Sequence, residues 1–300
     1  MKLRVGTRGS RLALIQTTMV IDALKELWQD IEAEVVIIRT KGDKIQDVSL
    51  DKIGDKGLFV KEIEDQLLAG HIDMAVHSMK DMPFELPVGL ALVAVLKRAD
   101  PRDVLVTTHQ VSRIQDLPND LVIATGSKRR ESQLKQLMPG VTIKPIRGNV
   151  ETRIKKMQDL GYDGTILAAA GLDRLGVENN DQIRLLPFEV EAIIPAPAQG
   201  IVGLQLRSED HELMNRVKGI MDETTVRQSQ AERNFLKEVN GSCHLPMGAY
   251  LQIGKSVVMH GLFGDAQCQN VRQMTKTCTL DKAMATSTMV ARKLSEEVNL

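Results

Sequence analysis

The sequence predicts an α/β layer protein that ends in a smaller α+β unit. Three observations lead there. Short β-branched runs alternate with amphipathic helical stretches over most of the chain, the pattern of helices packed on a largely parallel sheet. Several strand-to-helix turns carry Arg, Ser, Thr or Gly. From about Glu223 the order changes to a helix, several strand-like runs and a closing helix. A length of 300 residues, with 43% hydrophobic and 26% charged residues, fits two or three globular domains and excludes a disordered chain.

Leu3-Arg4-Val5 reads as the first strand. The turn Gly6-Thr7-Arg8-Gly9-Ser10 leads into a helix in which Leu12, Ile15, Val20, Leu24 and Leu27 keep roughly helical spacing. Glu34 to Arg39 is a β-branched strand, and Val60, Ile63, Leu67 and Leu68 line one face of a helix. Ile72 to Val76 is strand-like and runs into His77-Ser78-Met79-Lys80-Asp81-Met82-Pro83, and Leu90 to Leu96 is a further apolar run. Ala99-Asp100-Pro101-Arg102-Asp103 reads as a crossing between domains. Beyond it, the strands Leu121 to Ala124, Val141 to Ile146 and Thr165 to Ala168 are each followed by a polar or small-residue turn, and the first two turns by a helix. Ile193 to Gly200 reads as a return linker, because Pro195 and Pro197 disfavour helix there. The last unit has a helix from Val226 to Val239, strands at Ala249 to Ile253, Val257 to Leu262 and Met274 to Leu280, and a helix from Ala283 to Val298.

Lys and Arg total 39, as do Asp and Glu, so net charge is zero. A general nucleic-acid binder is usually basic, and 3% aromatic residues make a poor base-stacking platform, so nucleic acid is not an expected partner. No apolar run reaches the roughly 18 residues of a membrane span. The N-terminus enters a strand directly, without the apolar stretch of a signal peptide. The cysteines, Cys243, Cys268 and Cys278, are odd in number and lack the close spacing of a zinc site, so a reducing cytoplasm and no metal are expected.

Arg-bearing turns recur at Thr7-Arg8-Gly9-Ser10, at Thr125-Gly126-Ser127-Lys128-Arg129-Arg130 and at Arg147-Gly148-Asn149. Open α/β sheets bind ligands beyond the carboxyl ends of their strands, where helix starts offer free N–H groups. Guanidinium forks there recognise carboxylate or phosphate, so a polyanion site is expected, although an isolated Arg in such a turn is usually just solvated. Asp81 offers an acid, a base or a counter-ion to a developing cation; otherwise it belongs to a polar turn stopped by Pro83. Lys80 beside it can bind an anion, while His77 is expected to pack or hydrogen-bond. Cys243, in Gly241-Ser242-Cys243-His244-Leu245-Pro246, is either a covalent attachment point or nucleophile, or a small buried thiol. Lys52, Lys56 and Phe59 lie in a Gly-containing basic loop or an ordinary solvated connection.

In order, these segments resemble the porphobilinogen deaminase family. The resemblance is carried by Gly6-Thr7-Arg8-Gly9-Ser10, Gly54-Asp55-Lys56-Gly57-Leu58-Phe59-Val60-Lys61-Glu62, His77 to Pro83, Arg147-Gly148-Asn149-Val150-Glu151-Thr152-Arg153, Ala168 to Gly176 and Pro197-Ala198-Gln199-Gly200. It implies hydroxymethylbilane synthase activity: four porphobilinogen molecules lose ammonia and condense head to tail on a dipyrromethane primer held by a cysteine thioether. The matching cysteine is Cys243 and the matching catalytic carboxylate is Asp81. The resemblance also places Lys80, Asp81, Thr125, Ser127, Arg129, Arg130, Arg147 and Arg153 at the cofactor. Arg8, Ser10, Arg147, Arg153 and Arg174 fall at the substrate, and Lys52, Lys56 and Phe59 in an active-site loop. It implies a monomer with two doubly wound lobes like those of periplasmic binding proteins. Residues 1–98 with 199–218 form the first lobe, 99–198 the second, and 219–300 the α+β domain carrying Cys243. Lys128, Gly126 and Ser242 depart from the family pattern. A non-catalytic two-lobed anion binder would leave Asp81 and Cys243 without a task; an acyl-transfer enzyme using Cys243 and His244 would leave the arginines without one.

Overall fold

A computed structural model describes residues 1–44, 60–240 and 245–299. The expected loop residues Lys52, Lys56 and Phe59, and Cys243 with His244, lie outside the described residues. The first part of the chain holds β1 (Lys2–Thr7), α1 (Arg11–Leu27), β2 (Glu32–Ile37), α2 (Lys41–Lys44), α3 (Lys61–Leu68), β3 (Met74–Ser78), a 3-10 turn at Met79–Asp81, and β4 (Leu90–Val95). The second holds β5 (Asp103–Thr107), β6 (Val122–Ala124), α4 (Lys128–Leu137), β7 (Thr142–Lys144), α5 (Val150–Asp159), β8 (Gly164–Ala168), α6 (Ala169–Arg174) and β9 (Arg184–Pro187). Then follow β10 (Val202–Arg207), α7 (His211–Lys218), α8 (Glu223–Glu238), β11 (Met247–Ile253), β12 (Val257–Gly264), β13 (Val271–Cys278) and α9 (Ala283–Asn299).

The strands form two five-stranded sheets of the same plan, β2-β1-β3-β10-β4 and β7-β6-β8-β5-β9, and a three-stranded sheet β11-β12-β13. In each large sheet three strands on one side run parallel and the fourth runs against them. That antiparallel strand is supplied by a crossing: β5 follows the outward passage and β10 the return. The α/β class with a smaller α+β unit is therefore the one found. The sequence reading assigned no element to β5, β9, β10 or α7, and it took Ala169-Ala170-Gly171 as a turn where α6 begins. β2 begins earlier than Glu34 because its partner is β1, in the register Lys2↔Glu32 to Thr7↔Ile37.

Local chemistry sets the helix starts that matter here. Ser10 Oγ accepts from Ala13 N at 3.3 Å, so α1 starts immediately after the first Arg-bearing turn. It then buries Val20, Ile21 and Leu24 against β1, β3, β10 and the Leu213 and Val217 face of α7. Asn149 Oδ1 accepts from Thr152 N at 2.8 Å and starts α5 in the same way. The second sheet has separate apolar clusters, one around Leu121, Ile123 and Leu134 and one around Met157, Leu167 and Leu172. The last sheet packs on α8 and α9 through Phe235, Val290 and Leu294.

The crossings lie against each other. Ala99 N donates to Gly200 O at 3.3 Å, and Gly200 sits at φ +87°, where a Cβ would fall 2.6 Å from Ala99 O. Beside them Arg98 forks onto Glu232, Nη1 to Oε1 at 2.6 Å and Nη2 to Oε2 at 3.1 Å. Glu232 is fully buried, and it also accepts from Ala198 N and Leu251 N. One buried ion pair thus joins the outward crossing, the return crossing and the final domain.

Candidate active site

The first and third charged turns lie close together: Arg11, which opens α1, donates from Nη1 to Glu151 Oε1 in the first turn of α5 at 2.7 Å. In the first lobe, β3 ends at Ser78, whose Oγ donates to Gln16 Oε1 at 3.0 Å, and the 3-10 turn follows. Met79 N donates to Ile201 O at 3.0 Å, which leaves Lys80 half-buried and Asp81 exposed. Arg233 of α8 holds the next residues, donating to Pro83 O at 2.8 Å. His77 is buried; desolvation, aided by the nearby charge of Arg8, pushes its pKa down to about 4, so it is neutral at physiological pH. That agrees with a packing role.

In the second lobe Thr125 Oγ1 accepts from Ser127 N at 3.2 Å, and the first turn of α4 carries Arg129 and Arg130. Both guanidiniums are buried on one fully buried carboxylate. Arg129 Nη1 reaches Asp103 Oδ2 at 2.6 Å and Arg130 Nη2 reaches Oδ1 at 2.7 Å. Arg129 also donates to Ile194 O and Arg130 to Ile166 O. Burial pushes the Asp103 carboxyl up, but the two guanidiniums outweigh it and hold it below the usual carboxylate range. Ser10 and Thr125 accept local backbone bonds, and each hydroxyl keeps a proton to donate.

The third turn holds Arg147 and Arg153 around Gly148, which sits at φ +125° with Thr152 Cγ2 where a Cβ would lie 2.6 Å away. Arg153 Nε donates to Gly148 O at 2.7 Å. Burial lowers the Arg153 pKa to about 10; Arg130 and Arg147 push the same way and Asp81 pushes back. Burial lowers Lys80 to about 8, against the pull of Asp81 and Asp103 and with the push of Arg130 and Arg129. Lys80, Asp81, Arg129, Arg130, Arg147 and Arg153, drawn from both lobes, thus lie within electrostatic reach of one another. Arg174 Nη2 donates to Gly200 O at 3.0 Å, while its Nε is buried without a hydrogen-bond partner.

Sequence reading did not identify Asp103, which looked like part of a crossing, nor the roles of Gln199, Arg98, Glu232 and Arg233. Nothing in the local sequence marked Asp103 as the buried counter-charge of Arg129 and Arg130. The atypical Lys128 faces the last domain, donating to Ala266 O at 2.6 Å.

Lys80 and Arg153 donate to neutral oxygens, and a single carboxylate meets Arg129 and Arg130 in direct contact. Such an excess of fixed positive charge, with the buried Arg174 Nε still unmatched, suits a ligand carrying several carboxylates. Among the described residues no cluster has the composition of a metal site, and no helix is long and apolar enough to cross a membrane.

A family model described as "Porphobilinogen deaminase, dipyromethane cofactor binding domain" matches residues 3–215, and one described as "Porphobilinogen deaminase, C-terminal domain" matches residues 226–296. The chain belongs to the porphobilinogen deaminase family. A porphobilinogen deaminase of Clostridioides difficile (strain 630) is 51% identical over 272 residues, covering 90% of this chain and 89% of the relative. One of Clostridium novyi (strain NT) is 45% identical over 300 residues, covering 100% of both. Among solved structures, the substrate binding protein of an amino acid ABC transporter is similar at TM-score 0.40 and 14% identity, over 73% of this chain and 91% of that chain. The porphobilinogen deaminase family fixes the activity: this chain is a transferase with hydroxymethylbilane synthase activity, acting in tetrapyrrole biosynthesis with a dipyrromethane cofactor.

Proposed function

We propose that Asp81 is the catalytic carboxylate of this synthase and that Lys80, Thr125, Ser127, Arg129, Arg130, Arg147 and Arg153 hold the dipyrromethane, tethered by Cys243. Arg8, Ser10 and Arg174, with Arg147 and Arg153, take the substrate carboxylates; Lys52, Lys56 and Phe59 belong to a loop bordering the site. The supporting observation is the shared field of Lys80, Arg130, Arg147 and Arg153 around one exposed carboxylate. Each porphobilinogen brings an acetate and a propionate, so the growing product gains negative charge at every step, and fixed guanidinium forks hold it in register.

When bound, dipyrromethane supplies the terminal pyrrole carbon on which the chain is built. Asp81 accepts hydrogen bonds from pyrrole N–H and stabilises the cation that develops as the substrate C–N bond breaks and ammonia leaves. Asp81 would also pass a proton to the departing amine and take one back as the condensation completes. Lys80 and the arginines bind and orient.

The same reading divides the chain at 1–98 with 199–218, 99–198 and 219–300, in line with the membership of the three sheets. It makes the enzyme a cytoplasmic monomer that takes a small-molecule substrate and neither nucleic acid nor membrane. The test is incubation with porphobilinogen, following ammonia and linear tetrapyrrole, together with intact mass. The expected protein weighs about two pyrrole units more than its chain and releases hydroxymethylbilane. A Cys243→Ser protein that kept both the adduct and full turnover would overturn the tether.

A further inference from the structure

The Pro197-Ala198-Gln199-Gly200 segment and the carboxylate Asp103 have no task in that reading beyond folding, yet they meet. Gln199 is fully buried. Its Nε2 donates to Asp103 Oδ1 at 3.0 Å and to Pro101 O at 2.7 Å, and its Oε1 accepts from Lys80 Nζ at 3.4 Å. Its backbone is pinned as well, with N donating to Ala196 O and O accepting from Arg98 Nε at 2.9 Å. The amide has one sensible orientation, because a flip would set its NH2 against an ammonium and its oxygen against a carboxylate.

This side chain therefore touches the residue next to Asp81 in one lobe and the anchor of Arg129 and Arg130 in the other. We propose that Gln199 is a positioning residue for the condensation: it fixes the Lys80 ammonium against the Asp103-held guanidinium pair, so that positive charges from both lobes keep one spacing toward the carboxylates of the pyrrole chain. The inference rests on the site roles proposed above.

The residue type fits the task. Lysine is a compact charge on a flexible four-carbon stem, drawn here by Asp81 and Asp103 and repelled by Arg130 and Arg129. An acceptor is needed to hold it. A carboxylate at 199 would hold Lys80 more strongly, but it would repel Asp103 and cancel the charge that substrate carboxylates need. A neutral amide joins donor to acceptor without neutralising either.

The experiment uses the holoenzyme with porphobilinogen. Gln199→Met keeps the volume and removes the hydrogen bonds. The expected protein keeps its covalent adduct and its Tm to within a few degrees, while kcat/KM falls about 10- to 100-fold, the usual consequence of a displaced orienting group. In a Lys80→Met background the same substitution should cost less than about two-fold, because its effect passes through Lys80. Equal losses in both backgrounds, or an unchanged kcat/KM, overturn the proposal. Should Gln199→Met fold poorly, Gln199→Glu decides. Its deficit relative to wild type should shrink as pH falls toward 5 and the new carboxyl becomes a neutral donor. A deficit that does not change with pH overturns the proposal. If wild type itself released no ammonia from porphobilinogen, the underlying site reading would fail, an outcome distinct from any of these.

Discussion

At the residue scale, the site depends on charges held at unusual strength by burial. Asp81→Ala should lower single-turnover ammonia release in holoenzyme by about 100- to 10,000-fold, the span of a lost acid–base or charge-stabilising group; undiminished release removes the residue from the chemistry. Lys80 carries a pH signature. Its pKa is about 8 in the fold, against an ordinary 10.5. Between those values the unfolded chain holds a proton that the native chain has released, so this residue's contribution to stability rises with pH there, and below 8 its partly desolvated charge is a penalty. Lys80→Met should therefore gain Tm over wild type at pH 7 and lose most of that gain by pH 10. Over the same rise the wild-type KM for porphobilinogen should increase, as an ammonium facing carboxylates disappears. His77 acts at the acid end. With a folded pKa of about 4 and an ordinary 6.5, it contributes stability that is lost as pH falls through that window, so His77→Leu should flatten the acid limb of urea midpoints.

At the element scale, each functional group is delivered by a strand end and a helix start. This was the legible part of the site, because caps and turns are written in contiguous residues. Arg147-Gly148-Asn149 shows it: a glycine in left-handed space, then an asparagine cap, then a helix that aims Arg153 back at Gly148 O. Asn149→Ala should cost about 1 kcal/mol of unfolding free energy in urea titration. It should also raise KM for porphobilinogen, because Arg147 and Arg153 flank the cap; a purely thermodynamic loss with unchanged KM would separate the turn from binding. β5 and β10 were not legible. Asp103–Thr107 opens on a buried carboxylate and Val202–Arg207 includes Gly203 and Gln205, and both strands are buried almost throughout. A strand covered on both faces shows no alternation, and its pairing partners lie far away in sequence. The Asp81 turn and the Arg129-Arg130 pair could be read from local sequence, but Asp103, to which that pair is bound, could not.

At the scale of the whole molecule, the two sheets of equal plan and the final domain meet at Arg98 and Glu232. Neither side chain is more than 6% exposed. Breaking a buried pair strands the other charge, so Glu232→Gln should cost about 3–5 kcal/mol in urea unfolding. Loss of well under 1 kcal/mol would show that the three parts do not depend on this junction. By itself, the sequence determined the class of layers, the Arg-bearing turns, and the family to which their order corresponds, because strand periods, caps and glycine turns are short-range properties of neighbouring residues. Only the tertiary structure decided which charges meet. Asp103 under Arg129 and Arg130, Gln199 between Asp103 and Lys80, and Glu232 beneath Arg98 are contacts between residues far apart in the chain, and electrostatic energy depends on distance in space and on exclusion of water, neither of which is carried by spacing along the chain.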